Sequence, residues 1–228
     1  MHGDIYSDRL SAHFSIIGGA ECKYVCPIIY SKGITLIELM IVLVILAVLL
    51  ALGVPSIRQW IEDTKIRSIA ASIHSGTQLA RGEAIRLNEL VRFQLTSDLT
   101  DSCVLSGTAA NWVVSIDNPT AGCDAAPAPQ ATILSAASPR IIQTSLGSEG
   151  GGSGYTINAD GNTLVFNGAG RLSAGSTITN IEIPDFDGRC QHQGGTLRCL
   201  RIRVLAGGDA IICDPKVTAT SDVRFCPN

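Results

Sequence analysis

The chain has 228 residues, 46% of them hydrophobic, and a formal net charge of −3. A chain of this length can bury one sizeable core, so we expect one globular domain with appendages. The acidic balance excludes a protein that binds nucleic acid through a general basic excess. It does not exclude a local basic strip.

The apolar residues are concentrated in residues 34–54, where Glu38 is the only charged residue. A helix of that length would span about 32 Å, enough to cross the core of a bilayer. Lys32 and Gly33 precede this run, whereas in a secretory signal the cleavage site follows the apolar core. A cut after Gly33 would leave the apolar segment on the mature protein. An uncleaved single-pass anchor explains the apolar run equally well.

Glu38 separates these two interpretations. A carboxylate within a membrane segment is costly, rare and by default functional. In a lone anchor it would have no evident partner. Cleavage after Gly33 would expose an ammonium at Ile34, which Glu38 of the same or a neighbouring subunit could neutralise. The charge pair would then offset a desolvation that neither group tolerates alone.

Residues 32–40, Lys-Gly-Ile-Thr-Leu-Ile-Glu-Leu-Met, resemble the class III signal of type IV prepilins. The resemblance implies that a dedicated peptidase cuts after Gly33 and methylates the new N-terminus at Ile34. It also implies that Glu38 guides assembly. The family tends to carry a proline where this chain has Pro55, and the missing N–H and the steric clash of a proline end or kink a helix.

The chain departs from this family pattern in two ways. Ile34 stands where phenylalanine or methionine is usual, which would slow processing or methylation. The leader, residues 1–33, is long and contains Cys22 and Cys26. We therefore expect the true translation start to lie downstream of Met1.

Residues 55–90 show helical spacing of apolar positions and predict an amphipathic helix with its apolar face on a core. These positions are Ile66, Ile69, Ile73, Ala80, Ala84, Leu87 and Val91. With the apolar run they would form one long helix, bent at Pro55, from about Ile34 to Asn88. Arg81 and Glu83 are expected on its solvated face. Residues 79–88 resemble the end of this helix in the GspH/FimT group, which pairs a helical rod with a β-rich head.

Residues 91–228 predict that head, because short alternating runs bounded by turn residues are typical of antiparallel strands. The runs are residues 91–95, 112–116, 163–166 and 200–204. Residues 111–114 and 166–172 resemble the Gly-Trp-x-Val strand and the Phe-x-x-x-Gly-Arg turn of the same group. The expected fold is α+β and pilin-like: a long N-terminal helix, membrane-spanning in its first half, packed on an antiparallel sheet or sandwich.

Six cysteines follow the apolar run: Cys103, Cys123, Cys190, Cys199, Cys213 and Cys226. An even set beyond a membrane segment indicates disulfides in an oxidising compartment. Proximity in the sequence favours three pairs: Cys103–Cys123, Cys190–Cys199 and Cys213–Cys226. Buried free thiols are the alternative.

Sequence motifs for catalysis are missing, since the chain has no nucleophile elbow, phosphate loop or zinc-helix motif. No cofactor is predicted, and a membrane-anchored enzyme has no catalytic constellation to support it. Cys190, His192 and Cys199 have poor spacing for zinc. Residues 185–188 lack most ligands of a calcium loop, so a turn is predicted there. Trp112 is predicted to lie in the core.

A binding role for DNA depends on arginines near the C-terminus. Some FimT-like proteins are DNA receptors that use a Gly-Arg-x-Arg turn, but the matching turn here has Asp209 after Gly208, and an aspartate repels phosphate. Arg198, Arg201 and Arg203 could instead form a basic strip, although solvated strand surface is the more ordinary interpretation. DNA is therefore a possible partner that is not favoured.

The resemblance implies a minor pilin or pseudopilin that takes part in type IV pilus biogenesis, in an initiation or tip complex. Its expected partners are the prepilin peptidase, other minor pilins and the membrane. It would sit in the bacterial inner membrane by a single span, with its head in the periplasm, before it enters a fibre. A pseudopilin of type II secretion is the alternative, and the cysteine-rich C-terminus mildly favours the pilus.

Overall fold

The computed structural model describes residues 33–147, 156–184 and 188–227, without the side chains of residues 51–56. The predicted leader lies almost wholly outside these residues. The chain divides into two compact units, Met1–Leu46 and Ala47–Asn228. Eight strands and one long helix are the regular elements that carry the fold of the described residues.

Helix α1 runs from Leu36 to Leu87, within two residues of the predicted bounds at each end. It ends where Asn88 adopts a left-handed conformation with φ of 53°, a conformation that asparagine tolerates better than most residues. The helix continues through Pro55, so this proline does not end it. A proline removes one hydrogen bond of the helical ladder, while the turns on both sides keep theirs.

The second half of α1 buries one apolar stripe, as the spacing predicted. Its buried positions lie on one face of the helix: Ile66, Ile69, Ala70, Ile73, Thr77, Ala80 and Ala84. Leu87 is half-buried and packs against the same core. The buried stripe thus follows the predicted apolar positions from Ile66 to Leu87, whereas Val91, the last of them, lies beyond the helix in a strand.

Two four-stranded antiparallel sheets form the head. The first has the order β3-β2-β1-β5 and the second the order β4-β6-β7-β8. The strands are β1 Val91–Thr96, β2 Asn111–Ser115, β3 Ile141–Ser145, β4 Asn158–Ala159, β5 Thr163–Phe166, β6 Asn180–Ile183, β7 Leu200–Val204 and β8 Ala210–Cys213. All four predicted strands are present, and β8 leads to Cys213 as the partner of β7, whereas β3, β4 and β6 had not been predicted.

Both sheets and α1 share one hydrophobic core. The first sheet contributes Phe93, Trp112, Leu164 and Phe166, and the second contributes Ile181, Ile183, Ile202 and Val204. Side chains that alternate along a strand point to opposite faces of its sheet, so one face of each sheet supplies the core. The head is thus an antiparallel α+β domain with the helix packed on it.

Trp112 lies in this core, as expected. It is 2% exposed, its ring centroid is 5.8 Å from that of Phe93, and its indole N–H donates to Ser72 Oγ at 3.0 Å. A buried indole needs such a partner for its one donor. The bond ties β2 to the helix.

Three disulfides join Cys103 to Cys123, Cys190 to Cys199 and Cys213 to Cys226. This is the pairing that proximity favoured. Cys103 and Cys123 form a small second core with Val113 and Ile141. Each bond closes a short loop, which limits the conformations of the unfolded chain.

Gly76 marks a close approach of α1 to the first sheet. A Cβ atom there would lie 2.8 Å from Phe93 Cε2 and 3.0 Å from two ring atoms of Trp112. Gly82 is also helical, but a Cβ atom there would meet nothing within 4 Å. Glycine lowers helix propensity at both positions, so only the contact with the two rings distinguishes them.

We predict opposite effects for alanine at these two glycines. Gly76→Ala should destabilise the head by about 1–3 kcal/mol, because the rings of a packed core cannot yield without strain. Gly82→Ala should stabilise it by about 0.5–1 kcal/mol through helix propensity alone. Thermal unfolding of the oxidised protein, followed by near-ultraviolet circular dichroism, measures both. A higher melting midpoint for Gly76→Ala would contradict the packing.

Candidate functional site

The N-terminal end of α1 is capped by Thr35. Its hydroxyl oxygen accepts a hydrogen bond from the backbone N–H of Glu38 at 3.2 Å, and its carbonyl accepts one from Leu39 at 3.2 Å. Threonine is a favoured residue at this position. The pattern Thr-x-x-Glu at residues 35–38 signals the start of a helix, and the prediction of a helix from Ile34 had not made use of it.

Glu38 lies in the first turn of α1 and is exposed. The N-terminal end of a helix carries partial positive charge, which favours a carboxylate. The positive charge that cleavage would create at Ile34 lies four residues away in the sequence. Glu38 thus lies in the first turn of α1, and the predicted new N-terminus lies two residues before the helix begins.

Gly33 and Ile34, the predicted cleavage and methylation residues, are both exposed. A Cβ atom on Gly33 would meet no atom within 4 Å. Packing within the described part of the chain therefore does not require glycine at this position. The bond between these residues is accessible from solvent.

The helix beyond this bond presents an apolar surface on every side. Residues 34–50 are all exposed; Ile34 is 74% exposed, Leu36 79% and Ile37 67%. An apolar surface of this extent marks an interaction site with protein or membrane.

Over the residues that the structure describes, no helix contains a stretch both long and apolar enough to cross a membrane.

Pro55, the other predicted assembly residue, lies in α1, but its side chain falls outside the described residues. Its role in assembly stays a prediction.

Arg81 joins the helix to two turns of the head. Its Nε donates to the Gly170 carbonyl at 2.9 Å, and its Nη1 forms an ion pair with Asp209. Gly170 has a φ of 70°, and a Cβ atom there would lie 2.7 Å from Ile85 Cδ1. The family's Phe-x-x-x-Gly-Arg turn thus fits closely against α1.

The expectation that Arg81 and Glu83 lie on a solvated face was wrong. Glu83 is 7% exposed and accepts two hydrogen bonds from Arg86, at 2.8 Å from Nε and 2.6 Å from Nη2. Arg81 binds the turns at Gly170 and Asp209. A charge on a buried helix face needs such partners, and the sequence did not show where they would come from.

The predicted basic strip of Arg198, Arg201 and Arg203 is not formed as one surface. Arg198 precedes β7 and pairs with Asp214 at 3.1 Å, whereas Arg201 pairs with Glu182 at 2.5 Å. Arg201 and Arg203 do share one face of β7, as alternation requires. Neighbouring acids offset the charge that DNA would need.

The zinc hypothesis considered from the sequence involves Cys190, His192 and Cys199. Cys190 and Cys199 are joined to each other. Among the described residues, no group of three or more histidine, cysteine, aspartate or glutamate side chains could hold a metal ion. Residues 185–187, part of the stretch with a faint likeness to a calcium loop, lie outside the described residues.

Comparisons with known proteins place the chain among pilin-like proteins. The family model of the type II transport protein GspH matches residues 70–208, and the prokaryotic N-terminal methylation motif matches residues 30–54. A search of curated proteins gave no match. The crystal structure of the type IV minor pilin FimU from Pseudomonas aeruginosa is 15% identical, with a TM-score of 0.42; the alignment covers 67% of this chain and 99% of that one.

We predict unequal losses when the contacts of Arg81 are removed. Arg81→Ala should destabilise the head by about 1–2 kcal/mol, because it also leaves the Gly170 carbonyl without this donor. Asp209→Ala should cost less than about 1 kcal/mol, since a half-exposed ion pair contributes little. Chemical denaturation of both variants measures the difference. Equal losses would show that the Gly170 bond contributes nothing.

Proposed function

Because the chain belongs to the family of the type II transport protein GspH, we propose that it is a minor subunit of a type IV pilus, active in the initiation or tip complex. Members of this family are structural pilins. The single observation that carries the proposal is the exposed apolar segment of residues 34–50, which holds one carboxylate at Glu38.

Processing is the first step of the proposed mechanism. The prepilin peptidase cuts the exposed bond after Gly33 and methylates the amine of Ile34. The match to the N-terminal methylation motif supports this step. A methylated amine still takes up a proton, so the new terminus keeps its positive charge at neutral pH.

Storage and assembly follow processing. The apolar helix is held in the inner membrane, with the head in the periplasm, where an oxidising environment would maintain the three disulfides. During fibre growth the helix leaves the lipid and packs among the helices of other minor pilins. These helices then cover the side chains that are exposed in the single chain.

Glu38 sets the position of the subunit within that bundle. A carboxylate that is moved from water into an apolar environment loses its hydration, and only a close cation offsets the loss. The protonated amine of a neighbouring subunit is the cation that the mechanism supplies. A neighbour shifted along the bundle would leave both charges unpaired, so the pair selects one register.

Type II secretion is the second candidate machine, and the name of the matching family favours it. A secretion pseudopilin would use the same cleavage and the same carboxylate–amine pair. The cysteine-rich C-terminus, with its bond between Cys213 and Cys226, mildly favours the pilus. A role as a DNA receptor has less support, because Asp209 occupies the turn where an arginine would be needed.

Replacement of Glu38 should separate processing from assembly. Glu38→Gln keeps the shape of the side chain and removes its charge, so the precursor should still be cut while incorporation into fibres falls at least about tenfold. Glu89→Gln, the same change at an exposed residue beyond α1, is the matched control. Immunoblots of the membrane fraction and of sheared fibres measure the two steps.

The same strains distinguish the two machines. If the protein serves a pilus, Glu38→Gln lowers the amount of sheared pili and leaves the secreted proteins unchanged. The reverse result assigns it to secretion. Normal incorporation of Glu38→Gln would refute the role of the carboxylate in either machine.

A further inference from the structure

The outer face of the second sheet carries a polar cleft of about 330 Å³. Its lining consists of side chains that can form hydrogen bonds, namely Asn158, Asp160, Asn180, Glu182, Arg201 and Arg203. A concave site of this size suits a small ligand. The proposed assembly mechanism makes no use of it.

Strand register explains why these side chains converge. Glu182 on β6 lies opposite Asn158 on β4 and opposite Arg201 on β7, while Asn180 lies opposite Arg203. Residues two apart on a strand share one face. The intervening isoleucines and Val204 point into the core, which leaves the polar residues together on the outside.

The cleft is electrically balanced, with two carboxylates and two guanidinium groups. Arg201 Nε donates to Glu182 Oε1 at 2.5 Å, and Arg203 Nη1 donates to Asn180 Oδ1 at 3.4 Å. Asp160 accepts hydrogen bonds from the backbone of Thr179 at 2.7 Å and of Asn180 at 3.0 Å. A polyanion such as DNA gains little from a site without excess positive charge.

Two residues that line this cleft each carry a buried polar atom without a hydrogen-bond partner among the described residues: Glu182 Oε2, an acceptor, and Arg203 Nε, a donor. Buried polar atoms are nearly always paired, with protein, with water or with a ligand. Burial also raises the pKa of the Glu182 carboxyl, although Arg201 opposes the shift. The Glu182 carboxylate thus lacks a hydrogen-bond donor for one of its two oxygens.

The chemistry of these atoms limits the classes of ligand that the cleft could bind. A metal ion would be repelled by the two guanidinium groups, and an apolar molecule would meet only polar and charged residues. A hydroxyl group can serve either atom, because its oxygen both donates, as Glu182 Oε2 requires, and accepts, as Arg203 Nε requires. The amides of Asn158 and Asn180 offer the same two functions to neighbouring hydroxyls.

From these observations we propose that the cleft binds a neutral sugar through adjacent hydroxyl groups. The ligand is a monosaccharide unit, free or at the end of a glycan, and the head would present it to the surroundings of the fibre. The proposal goes beyond the role in assembly and does not depend on it. Glu38 and the apolar helix take no part in it.

Saturation-transfer nuclear magnetic resonance on the full-length protein tests the site. The protein is held in a detergent without a sugar headgroup, and the probes are D-glucose, D-galactose and N-acetyl-D-glucosamine. We expect at least one of the three to bind. Glu182→Gln replaces the unpaired acceptor by a donor and should weaken that binding at least about tenfold.

Arg203→Met is the second variant, because it keeps much of the length of the side chain and removes every donor. It should weaken binding to a similar extent, while the matched control Glu89→Gln should bind like the unaltered protein. Near-ultraviolet circular dichroism of each variant shows that the head is folded.

The proposal is overturned if none of the three sugars binds, or if a sugar binds equally well to both cleft variants. It is also overturned if a single-stranded oligonucleotide or a neutral tripeptide amide binds in the cleft and the sugars do not. Loss of sugar binding with unchanged fibre incorporation would leave the assembly mechanism intact.

Discussion

An ionised carboxylate on an otherwise apolar helix is the constraint on which the proposed behaviour depends. Glu38 is stable in water in the single chain, where it is exposed. Once lipid or other helices cover the segment, the carboxylate loses its hydration and needs a cation. The proposed cleavage after Gly33 creates that cation a few residues away. The free-energy cost of desolvating the Glu38 carboxylate would then explain why the subunit must be cleaved before assembly and why it enters the fibre in one register.

The head meets a different physical requirement, which is to hold the second half of α1 against its sheets. Gly76 lets the rings of Phe93 and Trp112 approach the backbone of α1, and Arg81 fastens the turns at Gly170 and Asp209 to the same helix. Packing and polar contacts thus act on neighbouring turns. Because the head is fixed to the helix, the position of the second half of α1 would determine where the outer surfaces of the head lie for a binding partner.

Much of the fold could be predicted because periodicity is a local property. The spacing of Ile66, Ile69 and Ile73 predicted the buried stripe, and alternation predicted four strands. The strands that had not been predicted, such as β4 with two residues, are too short or too polar to carry a pattern. Proximity gave the disulfide pairing because each loop between paired cysteines is short.

The contacts of individual charges could not be predicted, because they depend on residues distant in the sequence. Arg81 lies 128 residues from Asp209 in the sequence, and the helical pattern does not predict that ion pair. Arg201 and Arg203 were correctly placed on one face, but the neutralising Glu182 comes from a strand that the sequence did not reveal. The polar cleft therefore could not be predicted, because it forms only through the pairing of β4, β6 and β7 in the folded head.

Mass spectrometry of the N-terminus of the protein recovered from assembled fibres tests the central claim most directly. The account predicts a terminal peptide that begins at Ile34, carries one methyl group on its amine and is accompanied by no peptide from residues 1–33. A peptide that spans an intact bond between Gly33 and Ile34 would contradict it, because Glu38 would then have no liberated amine to meet.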